Sequence, residues 1–199
     1  MELLIIRHGQ SEADLLGVLE GRADFPLTEL GKEQAGKMAA YVAGNIPPDL
    51  ILASPLKRAS ATAQILQRKI GCDIQFYDEL KEYNNGVLAG LSKKEAAITH
   101  PLPKGGRPLH IPIQDGESEL EFRYRAEWML HHILFAYKDV RRVAIVSHGG
   151  LISNFIKAFL DLPNGKFAFS TGDTGIHLLE QLEDTRVVRY LNKQDHLLM

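Results

Sequence analysis

At 199 residues, 45% of them hydrophobic and 24% charged, the chain has the length and composition of one soluble globular domain. Its 23 basic and 25 acidic side chains leave a net charge of −2, which excludes a global basic field for nucleic acid. Cys72 is the only cysteine, so no intrachain disulfide can form, and no apolar stretch approaches the ~20 residues that span a bilayer. The N-terminus lacks the basic n-region of a signal peptide, so a cytoplasmic protein with no membrane partner is expected.

Strand and helix patterns alternate along the chain, which predicts an α/β architecture with a mostly parallel sheet covered by helices. Leu3 to Ile6 reads as a strand buried on both faces, stopping at Arg7-His8-Gly9. Ser11 to Pro26 reads as a loop. Thr28 is placed to cap a helix reaching about Ala43. Leu50 to Ala53 reads as a second strand, and Ser54-Pro55 as the N-cap and first residue of a helix to about Ile70. Ile74 to Tyr77 follows as a third strand, Leu80 to Gly90 as irregular chain and Ser92 to Thr99 as a short helix. Residues 100 to 116 carry four prolines and the Gly105-Gly106 pair, and are expected to form an ordered insert or lid within one domain. Glu117 to Tyr137 is the longest helical pattern. Arg142 to Ser147 reads as a fourth strand, ending at His148-Gly149-Gly150, with a helix from Leu151 to Leu160. Ile176 to Glu180 and Val187 to Leu191 read as closing strands about a turn at residues 183–185.

Three strand ends thus carry chemistry: Arg7 and His8, then Ser54 with Arg58 a turn further on, then His148. Parallel strands would bring all three to the carboxyl edge of the sheet, where ligands bind in open α/β folds. Helix N-termini at that edge attract anions, and Arg suits bidentate grip of an oxyanion. The ligand expected is a phosphate group, with a histidine placed to attack phosphorus. A zinc site is disfavoured, since it needs three or four protein ligands and two guanidinium groups would lie beside it.

Arg7-His8-Gly9 at the start and Ser147-His148-Gly149 in the last quarter resemble the histidine phosphatase superfamily, also called the phosphoglycerate mutase-like family. The resemblance continues through Gly21-x-x-Asp24-x-Pro26-Leu27-Thr28-x-x-Gly31 and Ser54-Pro55-Leu56-x-Arg58-Ala59-x-x-Thr62-Ala63. It extends to Leu80-x-Glu82 with Gly86 and Gly90, and to Gly116-Glu117-Ser118 with Arg125, and so covers nearly the whole chain. The resemblance implies a three-layer sandwich, a phosphohistidine on His8 and no metal or cofactor. It further implies that Arg7, Arg58, His148 and the Gly149 N–H hold the phosphoryl oxygens, while Glu82 donates and then removes a proton. Asp14 and Gly21 are further candidates for contact with phosphate. Asp14 stands where the family pattern has Asn, so either it turns away or the site tolerates an extra negative charge. Tyr83 and Asn85 replace the Arg and Tyr typical of the mutase branch, which favours hydrolysis of a small phosphorylated metabolite. A phosphoglycerate mutase and a non-catalytic phospholigand-binding module are the alternatives. Glu20 to Phe25, Tyr83 to Val87 and the insert are the segments expected to choose the substrate.

Overall fold

The computed structural model describes residues 1–164 and 167–198. Chain order is β1 (Glu2–Arg7), α1 (Glu12–Leu16), α2 (Glu29–Asn45), β2 (Leu50–Ala53), α3 (Lys57–Ile70), β3 (Asp73–Phe76) and α4 (Lys93–Thr99). It continues with α5 (Glu119–Ala136), β4 (Arg142–Ser147), α6 (Gly149–Phe159), β5 (Ile176–Gln181) and β6 (Arg186–Lys193). These strands form one six-stranded sheet in the order β3-β2-β4-β1-β5-β6. β3, β2, β4 and β1 run parallel, while β5 and β6 are antiparallel additions at one side. Helices cover both faces, which makes the three-layer sandwich that was expected.

The central strands β1 and β4 are apolar on both faces because both faces are covered. Leu4 and Ile6 pack with Met38, Val42 and Leu66 under α2 and α3, whereas Leu3 and Ile5 pack with Met129, Ile133 and Phe155 under α5 and α6. Register then aligns the strand ends. Arg7 pairs with Ser147 and Ala53 with Val146, so His8, His148 and Ser54 leave the sheet side by side at one rim.

Two local expectations are corrected. Residues 12–16, read as loop, form α1, capped by the Ser11 hydroxyl and closed by the Asp14 carboxylate in a capping box. The helix after β2 starts at Lys57, with Leu56 rather than Ser54 at the cap. Ser54 Oγ accepts the Leu56 N–H at 3.3 Å instead, and its hydroxyl serves His148.

Two contacts set the strap that follows β1. Gly9 and Gly31 pack backbone to backbone: a methyl on Gly9 would fall on the Gly31 carbonyl, and one on Gly31 on the Gln10 carbonyl. From the other side, Thr174 N–H donates to the His8 carbonyl at 3.2 Å and Arg7 N–H to the Gly175 carbonyl at 3.2 Å. The Thr171–Gly175 turn is itself held by buried His177 and by Asn192. His177 Nδ1 accepts the Asn192 N–H at 3.1 Å, so Nε2 carries the proton and donates to Thr171 Oγ1 at 3.0 Å. Asn192 Oδ1 takes the Gly172 N–H at 2.9 Å.

Gly31→Ala is expected to cost about 1–3 kcal/mol in urea unfolding, because the Gln10 carbonyl cannot move without dragging the strap. Burial pushes the His177 pKa down to about 4, and a proton on Nδ1 would face a backbone N–H. The unfolded chain then binds more protons between the ordinary histidine pKa of 6.5 and that value, so stability is full above this window and falls as pH drops through it. Thermal melts over that range should show a steeper acid loss for the wild type than for His177→Gln.

Candidate active site

His8 follows the last residue of β1 and is 1% exposed. Its Nδ1 donates to its neighbour's carbonyl, Gly9 O, at 2.7 Å, and its Nε2 accepts from Arg58 Nε at 3.2 Å. One nitrogen is thereby fixed as donor and the other keeps a lone pair. Burial first, then the Arg58 and Arg7 guanidinium charges, hold the His8 pKa well below its ordinary value, against the pull of the Gly9 carbonyl. His8 is a neutral imidazole presenting Nε2.

Arg58 reaches His8 from the first turn of α3 with no exposed surface. Its outer nitrogens donate to the Ala23 and Gly21 carbonyls at 3.1 and 2.8 Å, and its Nε lies 3.0 Å from Glu20 Oε2. Gly21 has φ +49, and a side chain there would strike Asn85. This glycine therefore holds Arg58 through its carbonyl, and the expectation that it touches phosphate itself finds no support in the geometry.

His148 stands at the N-cap of α6, fully buried, its ring edge-on to His8 with centroids 5.1 Å apart. Ser54 Oγ lies 2.8 Å from His148 Nε2. A Ser54 hydroxyl that donates to Nε2 while accepting the Leu56 N–H leaves Nδ1 as the protonated nitrogen. His148 Nδ1 has no partner. Burial, then Arg58, His8 and Arg7, keep this ring neutral too.

Arg7 is fastened at its outer end. One nitrogen donates to Thr171 O at 2.7 Å, and another lies 3.3 Å from Asp173 and 3.8 Å from Asp14. Its Nε is buried without a partner and lies 4.0 Å from where a side chain on Gly149 would begin. Asp14 takes the Ser11 N–H and hydroxyl on one oxygen, at 2.8 and 3.0 Å, and turns the other toward Arg7. One oxygen thus caps α1 while the other leaves its negative charge beside Arg7, so neither of the two outcomes open to an acid here is singled out.

Glu82 faces these groups from the stretch after β3. Tyr83 N–H donates to its Oε1 at 2.8 Å and Gly150 N–H to its Oε2 at 2.9 Å. Arg125 and Arg22 hold its own carbonyl at 3.2 and 3.3 Å. Arg7, His8, Glu20, Glu82, Gly149 and Gly150 together line an open cleft of about 490 Å³.

Every residue singled out at the strand ends therefore meets at one rim. The opposite wall, Ala168 to Thr171, carries no motif to mark it. The Pro-rich insert lines none of this cleft; its far end is stitched to the Asn84–Val87 turn by the Gln114 carbonyl and the Glu117 N–H. Glu20 was marked only as the start of a segment expected to choose the substrate, yet its Oε2 lies 3.9 Å from His8 Nε2 and its Oε1 is buried without a partner. Among the described residues no group of three or more His, Cys, Asp or Glu is gathered as a metal would require.

Comparison with known proteins agrees with this geometry. A family model described as "Histidine phosphatase superfamily (branch 1)" matches residues 3–194. A protein of Escherichia fergusonii named "Probable phosphoglycerate mutase GpmB" is 31% identical over 168 residues, covering 82% of this chain and 76% of its own. The crystal structure of an alpha-ribazole phosphatase from Shigella flexneri superposes with a TM-score of 0.89 at 25% identity, covering 98% of this chain and 97% of that one. A mycobacterial glucosyl-3-phosphoglycerate phosphatase in complex with inorganic phosphate superposes with a TM-score of 0.82 at 25% identity, covering 98% of both chains. With the family's site residues converging at one rim and its model spanning nearly the whole length, the chain belongs to the histidine phosphatase superfamily, branch 1.

Proposed function

We propose that the protein hydrolyses small phosphomonoesters through a phosphohistidine on His8. The observation that carries this reading is the pair of buried nitrogens without partners, Arg7 Nε and His148 Nδ1, beside a neutral His8 whose Nε2 keeps its lone pair. A buried donor with nothing to donate to is costly, and a phosphoryl oxygen would satisfy each.

Phosphoryl transfer asks for charge neutralisation and in-line placement more than for reactive side chains. Arg7 and Arg58 supply the first, with N–H donors from His148 and the start of α6 at Gly149. The Nδ1–Gly9 hydrogen bond supplies the second, because it fixes the ring plane and aims Nε2. Bond formation from Nε2 to phosphorus breaks the ester bond, and the leaving alkoxide takes a proton from Glu82. The same carboxylate then takes a proton from the water that attacks phosphohistidine, returning His8 and releasing phosphate.

The relatives named as mutases raise the possibility of phosphoryl exchange between two hydroxyls. The side chains here favour water as acceptor. Tyr83 packs against Phe122 with ring centroids 5.1 Å apart, and Asn85 lies against Gly21, so neither offers a cation to a phosphoglycerate carboxylate.

With p-nitrophenyl phosphate, activity should survive a chelator, and His8→Ala should abolish it; full turnover by that variant overturns the nucleophile. Alkaline quench of the wild type should trap an acid-labile phosphohistidine that His8→Ala lacks. Glu82→Gln should lower kcat about a hundred- to ten-thousand-fold. Gly150→Ala tests the placement of Glu82, since the added carbon would lie 2.5 Å from Oε1. It should lower kcat about a hundredfold while leaving the melting temperature near that of the wild type.

A further inference from the structure

The rim that would receive phosphate is crowded with acids. Two guanidinium groups, Arg7 and Arg58, face Asp14 and Asp173 on one side and Glu20 and Glu82 on the other. Asp14 is committed to the α1 cap, Asp173 to the outer end of Arg7, and Glu82 to two backbone N–H groups. Glu20 differs. It comes from a loop, and its Oε2 sits 3.0 Å from Arg58 Nε and 3.9 Å from His8 Nε2, where an oxygen on a bound phosphoryl group would have to lie. Its Oε1 is buried with no partner.

Resting on the reading of this rim as a phosphoryl site, we propose that Glu20 holds the oxyanion's place when the site is empty and takes up one proton when a phosphomonoester enters. The proton comes from solvent. It turns the carboxylate from an acceptor that would repel the dianion into a hydroxyl that donates to a phosphoryl oxygen, and it returns to solvent when phosphate leaves.

The groups facing Glu20 agree with this. Arg58 from α3 and Arg7 from β1 favour its charged form, as does the Ser11 hydroxyl, while Asp14 of α1 opposes it. Burial outweighs them, so the carboxyl already titrates above its usual range before any dianion arrives. A dianion against it moves the balance further in the same direction. His8 and His148 are held neutral before the dianion arrives, by burial and by the guanidinium charges, and are competing acceptors once it binds. Asp173 is also raised by burial and is a further competing acceptor for the proton.

Sulfate is a suitable probe, being a tetrahedral dianion that keeps its charge throughout. Calorimetric titration from about pH 5 to about pH 8 should show wild-type affinity falling toward about tenfold per pH unit at the upper end, with close to one proton taken up in buffers of different ionisation heat. Glu20→Gln should bind sulfate with little pH dependence and at least about tenfold more tightly than the wild type at the highest pH. Full wild-type slope and proton uptake in Glu20→Gln overturn the assignment while leaving the oxyanion site intact. Slope retained in Glu20→Gln and lost in Asp173→Asn gives the proton to Asp173 and overturns it as well. Absence of sulfate binding in both proteins at every pH overturns the site reading together with the inference.

Discussion

Arg58 is a guanidinium with no exposed surface, and a buried cation must find both its hydrogen bonds and its counter-charge inside the protein. It finds them in the Gly21 and Ala23 carbonyls, in the Glu20 carboxylate and in His8 itself. This one requirement ties α3 to the strand end at His8 and to the loop before α2. The loop has to turn its carbonyls inward at Gly21 because Arg58 needs them there. The site thus depends on a charge whose neighbours were placed to satisfy it, and those neighbours then form the walls around the nucleophile.

The same cation keeps His8 usable. A protonated imidazole has no lone pair at Nε2, and burial beside Arg58 and Arg7 makes that form unfavourable. The Gly9 carbonyl then decides which nitrogen carries the single proton. His148 is kept neutral by the same burial and charges, but its orientation comes from Ser54. Two chemically identical side chains, with ring centroids 5.1 Å apart, are thereby held by different partners: His8 by the Gly9 carbonyl and Arg58, His148 by the Ser54 hydroxyl.

Much of this was legible in the sequence because apolar strands ending in histidine and glycine state both their burial and their direction. Leu3 to Ile6 and Val143 to Val146 are apolar at every position, which requires covered faces and a parallel core; the rim at His8 and His148 follows. Helix α1 was not legible, since Leu15 and Leu16 face solvent and no apolar stripe marks the turn. Ser54 reads locally as a cap, and only the fold reveals that its hydroxyl is directed to His148, 94 residues away. Glu20 and Asp173 lie in connections without periodicity, and their importance comes from arginines that other segments deliver. The Pro-rich insert marks itself by composition, yet the cleft wall comes from the unremarkable stretch before β5.

The hydrogen bonds of Asn192 carry a consequence for the sheet. Arg7 belongs to the first strand made, but the turn that grips its outer end is fixed by a residue near the end of the last strand. The grip on Arg7 is therefore complete only once β6 has paired with β5, which joins the rim of the cleft to the far edge of the sheet.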